Sequence, residues 1–364
     1  MIILSRGEIM KKTVLVIFGG KSSEYSVALH SAAYVIDNID RHDYDVLTMG
    51  VTDSGNWLYC TCPTSKIADG SWVDTDCSRA MISPDPNGHY LLVESDEELM
   101  RIPFDVVFPV MHGRNGEDGT IQGFLTMAGI PFVGCGMTSS ALCMDKAFTN
   151  LIARANGVNE ADWLVFKKGE YEKDPENCVK RVTEELEYPV FVKPAIGGSS
   201  VGISKVADGS GLAAAFENAF AEDGKVVVET GINAREVECA VLGGAVPRAS
   251  GVGEIVAADE FYDYNSKYVA DSKLSIPADI GEEHTQEIRA LALKLFDALD
   301  CEGMARVDFF IGKDDGKVYF NEINTIPGFT SISMYPKLFA KTGMSGQELI
   351  GSLIRTAFRR SNER

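Results

Sequence analysis

The 364-residue sequence contains no long apolar run, and positive charge is scarce in it. A helix needs about 20 apolar residues to span a bilayer, so the sequence predicts no membrane-spanning segment. Its 34 lysines and arginines are outnumbered by 53 aspartates and glutamates, which gives a net charge of −19. Nucleic acids and anionic membrane surfaces repel such a chain, so neither is an expected partner. A bound anion must instead be held by local cations, helix N-termini or a metal ion.

Cysteine is thinly spread along the chain. The eight cysteines include one C-x-C pair, Cys60 and Cys62, with no second pair to complete a zinc site. We therefore expect reduced thiols in a cytoplasmic enzyme. The first apolar stretch, residues 1–4, is too short for the apolar region of a secretory signal, and residues 1–9 are interpreted as an extension before the first strand.

The opening segments predict a doubly wound α/β domain. An apolar strand over residues 13–18 ends in two glycines and is followed by a predicted helix over 26–39. Strand, glycine turn and helix in this order are typical of such domains. A second buried strand is predicted at 106–110 and a short third one at 131–134. We assign residues 11–140 to this N-terminal domain.

The remainder of the chain predicts two further domains. Strands at 165–168, 190–193 and 225–229 alternate with acidic helices, and residues 141–236 are interpreted as a small α+β domain. Residues 237–364 form the third predicted domain, which includes one amphipathic helix and a β-hairpin.

Two acidic residues of this hairpin are predicted to face each other. A turn at residues 312–316 joins two apolar strands and sets Asp308 opposite or nearly opposite Glu322, with Asn324 on the same face. Carboxylates that meet across a ladder repel one another unless a proton or cation lies between them. Two carboxylates and an amide oxygen suit Mg²⁺. The alternative is a solvated strand face.

Two lysines and two glutamates are candidate nucleotide ligands. Lys193 ends a strand before a Gly/Ser loop that matches neither the P-loop nor the Rossmann pattern, so the loop either covers phosphates or is a flexible surface loop. Lys146 is either a second phosphate cation or a helix-start lysine. Glu229 and Glu236 suit an adenine amino group and a ribose diol, although surface acids are common.

Together these segments resemble the D-alanine–D-alanine ligases of the ATP-grasp superfamily. The resemblance covers nearly the whole chain in the family's order. It depends on seven motifs: FGGKSSEYSVALHSA, HGRNGEDGTIQG, SALCMDK, YPVFVKPAIGGSSVG, FYDYNSKY, ARVDFF and FNEINTIPGFTSISMYP. The resemblance implies an ATP-grasp fold of three domains and ATP-dependent ligation of two D-amino acids through a D-alanyl phosphate, for peptidoglycan precursors.

The resemblance also implies ATP and metal ligands. Asp308, Glu322 and Asn324 correspond to the residues that hold two Mg²⁺ ions, which Mn²⁺ can replace. Phosphates and nucleoside are expected to contact Lys146, Lys193, Glu229 and Glu236.

Further residues correspond to substrate and catalytic groups. Glu24 matches the residue that contacts the ammonium of the first D-alanine, and it is expected to join Ser199 and Tyr268 in a hydrogen-bonded closure. A lid loop near residues 255–275 is expected to fold over the site. Arg306 is expected to offset developing negative charge, and the Gly328 N–H to donate to the oxyanion. His112 is expected near the substrates, and Lys267 and Ser333 around the carboxylate of the second substrate.

The second substrate is D-alanine or D-serine. Several D-alanine–D-serine ligases of vancomycin-resistance clusters carry Arg where this chain has Met334, and a thioether hydrogen-bonds only weakly, which favours D-alanine. Departures from the family pattern at Tyr25, Gly197 and Ile332 concern the geometry of the subsites. The sequence does not distinguish a housekeeping from a resistance role, and the family is usually dimeric.

Three other functions are competing hypotheses. The motif FYDYNSKY and the Glu24 segment argue against another ATP-grasp carboxylate–amine ligase. The complete set of polar site residues argues against a nucleotide-binding scaffold that has lost catalysis. A metal hydrolase is disfavoured because no histidine-rich cluster accompanies the carboxylates.

Overall fold

The computed structural model describes residues 11–95, 98–256, 273–330 and 332–363. Within these ranges the chain folds into three β-sheets, and helices accompany each of them. No helix of the described ranges is long and apolar enough to cross a membrane.

The first sheet is a mixed sheet of the N-terminal region. Its strands are β1 (Lys12–Gly19), β2 (Tyr44–Val51), β3 (Trp57–Cys60), β4 (Cys77–Ile82), β5 (Tyr90–Glu94), β6 (Leu99–Pro103) and β7 (Val106–Val110). They lie in the order β6-β5-β4-β3-β2-β1-β7. β1 pairs in parallel with β2 and β7, and its apolar residues 14–18 are fully buried, as a parallel strand covered on both faces requires.

Helices connect these strands as the sequence predicts for the first unit. They are α1 (Tyr25–Asn38), α2 (Thr64–Ala68), a 3₁₀ turn (Ser71–Asp74) and α3 (Thr120–Met127). α1 follows β1 after the two glycines, one residue earlier than predicted. The loops before α1 and α3 contain FGGKSSE and HGRNGEDG and lie beyond the carboxyl ends of the parallel strands β1 and β7.

The strand predicted at 131–134 is wrong. Only one parallel bridge forms there, between Phe132 and Val107 of β7, with Val107 N–H donating to Pro131 O and Val133 N–H donating to Val107 O. Gly134 then adopts φ +102° and turns the chain away from the sheet.

The second sheet is antiparallel, in the order β10-β9-β11-β8. Its strands are β8 (Trp163–Lys167), β9 (Val190–Pro194), β10 (Ser204–Val206) and β11 (Lys225–Thr230). The helices of this region are α4 (Met137–Met144), α5 (Lys146–Ala155), α6 (Lys168–Lys173), α7 (Pro175–Glu185) and α8 (Leu212–Glu222), with a 3₁₀ turn at Gly209–Gly211. Asp145 caps α5 and pairs with Lys225 of β11, which fixes the start of the helix that begins with Lys146.

The third sheet is also antiparallel, in the order β14-β13-β12-β15-β16. Its strands are β12 (Ala234–Leu242), β13 (Arg248–Val256), β14 (Lys273–Ser275), β15 (Met304–Gly312) and β16 (Val318–Asn324). The helices are α9 (Gly281–Ala298), α10 (Met334–Lys341) and α11 (Gly346–Glu363). The predicted hairpin register is confirmed, since Asp308 is the partner of Glu322.

One hydrophobic core joins the first unit to the third sheet. It combines buried side chains of β1, α1, β12, α10 and α11 with Phe329. The buried guanidinium of Arg360 strengthens this junction, because it donates hydrogen bonds to Phe132 O at 2.8 Å and Gly134 O at 2.6 Å. The loops that follow β1, β7 and β16 are therefore held close together.

The expectation that all cysteines are reduced is wrong for one pair. Cys60 of β3 and Cys77 of β4 form a disulfide. The two residues are direct cross-strand partners with a Cα–Cα distance of 4.6 Å, which brings their side chains into bonding range. The cysteines at 62, 135, 143, 178, 239 and 301 are free thiols.

The domain boundaries at 140/141 and 236/237 stay predictions. Each predicted domain contains most of one sheet, although β12 of the third sheet begins at Ala234, before the second boundary.

Candidate active site

Two adjoining cavities lie where the three sheets meet. The first, called here the central cavity, lies against the loops that follow β1, β7 and β16. The second, called here the cleft, lies between the second and third sheets. The two share Lys146, Ser199, Glu236 and Glu322 in their walls, so they lie side by side.

The structure brings the predicted site residues of the described ranges to these two cavities. The central cavity is lined by Glu24, His112, Lys146, Ser199, Glu236, Arg306, Asp308, Glu322, Asn324, Gly328, Ser333 and Met334. Lys193 and Glu229 line the cleft. Lys267, Tyr268 and most of the predicted lid loop lie outside the described residues.

A buried ion-pair network forms the floor of the central cavity. Arg306 Nε and Nη2 donate to the two carboxylate oxygens of Asp308 at 2.8 and 2.6 Å. Glu238 lies 3.0 Å from Arg306 Nε on the neighbouring strand β12. Burial lowers the pKa of Arg306, but Asp308 and Glu238 outweigh this effect and raise it well above its usual value. The guanidinium therefore stays charged.

Glu238 was missed at the sequence level. It lies two residues after Glu236, so both side chains face the same side of β12, and its register partner on β15 is Asp308. The period-two spacing of two glutamates in REVECAVL was the available signal.

The predicted metal ligands fit Mg²⁺ in their chemistry. Asp308, Glu322 and Asn324 line one wall of the central cavity, and Asn324 Nδ2 donates to Asp308 Oδ2 at 3.1 Å. No three or more His, Cys, Asp or Glu side chains of the described ranges form a metal cluster. Two carboxylates and an amide oxygen nevertheless suit an ion that keeps water and phosphate ligands. The Asp308 carboxylate is already paired with Arg306, so an ion bound there would compete with the guanidinium.

Glu24 and Ser199 link the first unit to the Gly/Ser loop. Ser199 Oγ donates to Glu24 Oε1 at 2.5 Å, across 175 residues of sequence, as the sequence analysis predicts. Both side chains are buried. Gly198 permits this approach, because a Cβ there would lie 2.5 Å from Glu24 Oε2.

His112 is buried beside the loop that follows β16. Its Nδ1 lies 2.9 Å from Ile326 O, and its Nε2 lies 2.9 Å from Ser31 Oγ. Burial lowers the pKa of His112, and Glu24 only partly opposes the effect. The imidazole is therefore neutral at physiological pH.

Glu117 is a buried carboxyl group that the sequence analysis quoted within HGRNGEDG but did not assign. It accepts hydrogen bonds from Gly113 N–H at 2.7 Å and Ile326 N–H at 3.2 Å. Burial and the charge of Glu24 raise the pKa of Glu117 to about 8, although the two N–H donors oppose the change.

The raised pKa of Glu117 predicts a pH effect on stability. Above pH 4.5 the unfolded chain releases this proton, whereas the folded protein keeps it until about pH 8. The group therefore lowers stability as pH rises through this window, by up to about 1.4 kcal/mol per pH unit. We expect the urea midpoint of Glu117→Gln to fall less than that of the wild type between pH 6 and 8. Parallel curves for the two proteins contradict the prediction.

The cleft holds the candidate nucleotide ligands. Lys146 Nζ donates to Gly197 O at 2.8 Å, and Lys193 forms an ion pair with Glu229. Asn150 of α5, which the sequence analysis missed, donates to Glu229 Oε1 at 3.2 Å. Lys193 is expected to contact phosphate and Glu229 the nucleoside, so a nucleotide that contacts both must break their ion pair.

The loop after β16 carries Gly328 and leads into α10. A Cβ at Gly328 would lie 2.8 Å from Ser333 Oγ, so a side chain there would displace the Ser333 hydroxyl. Ser333 Oγ accepts from Thr330 N–H at 2.9 Å and lies 2.8 Å from Thr330 Oγ1. Met334 is buried against Gly253 of β13, where a Cβ would lie 2.4 Å from the Met334 sulfur.

Family models match both halves of the chain. The model described as D-ala D-ala ligase N-terminus matches residues 13–135, and the one described as D-ala D-ala ligase C-terminus matches residues 152–355. The chain belongs to the D-alanine–D-alanine ligase family. The resemblance stated from the motifs is thereby confirmed.

Relatives of this ligase family match along nearly the full chain. A D-alanine–D-alanine ligase from Acetivibrio thermocellus is 49% identical over 97% of both chains. Among solved structures, VanG D-Ala:D-Ser ligase from Enterococcus faecalis has a TM-score of 0.87 and 40% identity, covering 96% of this chain and 100% of its own. The D-alanine–D-alanine ligase from Coxiella burnetii has a TM-score of 0.84 and 32% identity, covering 97% and 95%. The predicted three-domain ATP-grasp fold is confirmed.

Proposed function

We propose that this protein joins two D-amino acids in an ATP-dependent reaction, with D-Ala-D-Ala as the product for peptidoglycan precursors. The observation that supports this most is the convergence at the central cavity. Glu24 and Ser199 from one side meet Arg306, Asp308 and Gly328 from the other. A recognition site for an amino acid therefore adjoins a cluster suited to phosphate chemistry.

In the proposed complex ATP binds in the cleft, and its phosphates point toward the central cavity. Glu229 and Glu236 accept hydrogen bonds from adenine and ribose, and Lys146 and Lys193 balance phosphate charge. Asp308, Glu322 and Asn324 would hold Mg²⁺, which would neutralise part of the phosphate charge. Lys193 is already paired with Glu229, so nucleotide binding exchanges one partner for another.

In the first step a carboxylate oxygen of D-alanine attacks the γ-phosphorus. The bond to the bridging oxygen breaks, and ADP leaves with a D-alanyl phosphate as the other product. Glu24 binds the ammonium group of this D-alanine, and the hydrogen bond from Ser199 orients the carboxylate of Glu24. Arg306, charged and buried, balances the negative charge that develops on the transferred phosphoryl group.

In the second step the free amine of the second D-amino acid attacks the acyl carbon. The carbonyl oxygen becomes an oxyanion that accepts a hydrogen bond from Gly328 N–H. The carbon–oxygen bond to phosphate then breaks, inorganic phosphate leaves, and the nitrogen loses its extra proton. Lys267 and Ser333 bind the second carboxylate, and Tyr268 with the lid loop excludes water from the acyl phosphate.

A competition assay tests the substrate assignment. Purified protein receives Mg-ATP and D-alanine with an equal amount of D-serine or D-lactate, and mass spectrometry identifies the products. We expect D-Ala-D-Ala to dominate. Excess D-Ala-D-Ser contradicts the argument from Met334 and supports the second candidate, which the 40% identity to VanG D-Ala:D-Ser ligase favours. Phosphate release without any dipeptide contradicts both.

Gly253 is expected to affect the binding of the second substrate, because it fixes the position of the Met334 side chain. In Gly253→Ala the new methyl group meets the Met334 sulfur, so the thioether must move within the central cavity. We expect KM for the second D-alanine to rise about 3- to 10-fold, as for a loss of roughly 1 kcal/mol in packing. Steady-state kinetics measure the change.

Gly251→Ala is the matched control on the same strand. A Cβ at Gly251 meets no atom of the described residues within 4 Å. Equal changes in KM for the two variants contradict the role of Met334.

The predicted homodimer and cytoplasmic location complete the proposal. Analytical ultracentrifugation at micromolar concentration tests the dimer, and a mass near 39.5 kDa, that of one chain, contradicts it.

A further inference from the structure

Three buried side chains of the N-terminal unit hold the loop that carries Gly328. Ser31 Oγ accepts from Phe329 N–H at 3.1 Å, and Glu117 Oε1 accepts from Ile326 N–H at 3.2 Å. His112 Nδ1 lies 2.9 Å from Ile326 O. We infer that Ser31 and Glu117 are positioning residues that aim the Gly328 N–H at the reacting carbonyl.

Ser31 connects the loop to His112 in one definite pattern. Its hydroxyl accepts from Phe329 N–H and has a single proton of its own, which it donates to His112 Nε2, 2.9 Å away. Nδ1 of the neutral imidazole then carries the ring proton and donates it to Ile326 O. Ser31 and His112 are both buried, so water does not compete for these bonds.

Glu117 uses its two carboxyl oxygens for different parts of the chain. Oε2 accepts from Gly113 N–H at 2.7 Å within its own loop, while Oε1 accepts from Ile326 N–H. The group therefore bridges the loop after β7 and the loop after β16. Because Glu117 is buried, loss of either hydrogen bond leaves a backbone N–H group with neither a protein acceptor nor water to bond to.

These anchors enclose Gly328 from both sides. Ile326 is held two residues before it and Phe329 one residue after it, so the peptide plane of Gly328 has little freedom. The anchoring groups come from the same unit as Glu24, which is proposed to bind the first D-alanine. The same unit therefore positions both the Gly328 N–H and the first D-alanine, and electrostatic catalysis depends on donors fixed in this way.

The inference rests on the proposed role of Gly328 as oxyanion donor, and Ser31→Ala tests it. Deleting one oxyanion donor costs about 10²- to 10³-fold in kcat, so a donor that is only misdirected is expected to cost about 10- to 30-fold. The affinity for a phosphinate dipeptide, whose tetrahedral oxygen mimics the oxyanion, is expected to fall by a similar factor. KM for ATP should change less than twofold, since the cleft does not contact Ser31.

Ser139→Ala is the matched control. Ser139 is another buried serine, and its Oγ donates to Asp300 O at 2.9 Å away from Gly328. We expect both variants to lower Tm, but only Ser31→Ala to lower kcat and phosphinate affinity. Glu117→Gln keeps the size of the side chain, and we expect it also to lower kcat and phosphinate affinity.

The outcomes separate the two proposals. If the wild type forms dipeptide and Ser31→Ala and Glu117→Gln keep wild-type kcat and phosphinate affinity, the positioning role is wrong and the function stands. Equal losses in kcat for Ser31→Ala and Ser139→Ala also overturn the positioning role. A wild type that forms no dipeptide overturns the proposed function itself.

Discussion

Asp308→Asn is expected to lower kcat/KM for ATP by about 10³-fold, equivalent to about 4 kcal/mol. Asparagine has nearly the same shape but lacks the charge that attracts Mg²⁺. It also removes one of the two carboxylates that pair with Arg306 and leaves Glu238. The excess positive charge then repels the ion further. We expect the Mg²⁺ concentration for half-maximal rate to rise at least about tenfold.

Magnesium titrations of ADP release measure both effects. Asp315→Asn is the control, because Asp315 lies in the turn of the same hairpin and its carboxylate binds Tyr319 and Lys317 instead. Both variants lose one negative charge, so a nonspecific effect of net charge appears in both. An unchanged magnesium requirement in Asp308→Asn contradicts the proposed metal site.

Glu24→Gln is expected to lower kcat/KM for the first D-alanine by about 10²- to 10³-fold, the usual result of removing one charge from a buried pair. The amide oxygen still accepts from Ser199 Oγ, so the link to the Gly/Ser loop survives. The negative charge for the ammonium group is lost. KM for ATP is expected to remain within twofold, because Glu24 does not line the cleft.

The kinetics of both D-alanine sites resolve this effect. Glu170→Gln, which alters an exposed ion pair with Arg181, controls for the loss of one surface charge. An equal rise in KM for both D-alanine sites contradicts the assignment of Glu24 to the first ammonium group. The companion variant Ser199→Ala keeps the negative charge of Glu24, so we expect a smaller loss in kcat/KM for the first D-alanine than in Glu24→Gln.

Local patterns predicted the strand register of the β15–β16 hairpin correctly. The turn at 312–316 and the period of two along the flanking strands set Asp308 against Glu322, and the observed register agrees. Both facts depend only on residues less than 20 positions apart. The family motifs then extended this local result to the whole chain, which the comparisons confirm.

Contacts between distant segments escaped prediction unless the family resemblance implied them, as it did for Glu24 and Ser199. Ser31 and Phe329 are 298 residues apart, and Glu117 and Ile326 are 209 apart. A serine on an apolar helix face and a glutamate in a glycine-containing loop look ordinary until packing joins them. The Cys60–Cys77 disulfide was missed for a different reason: the two residues are only 17 positions apart, but no turn signal between them predicted that β3 and β4 pair.

The core that joins α1 to α11 has a consequence for synthesis on the ribosome. The roughly 300 residues between these helices take about 15 to 60 s to translate at about 5–20 residues per second. During that interval Leu29, Val35 and Ile36 lack the partners that later cover them, Leu353 and Ile354 among them. The nascent N-terminal unit therefore carries an uncovered apolar surface until the last helix emerges. For that interval the exposed surface is open to non-native association, which α11 ends when it packs.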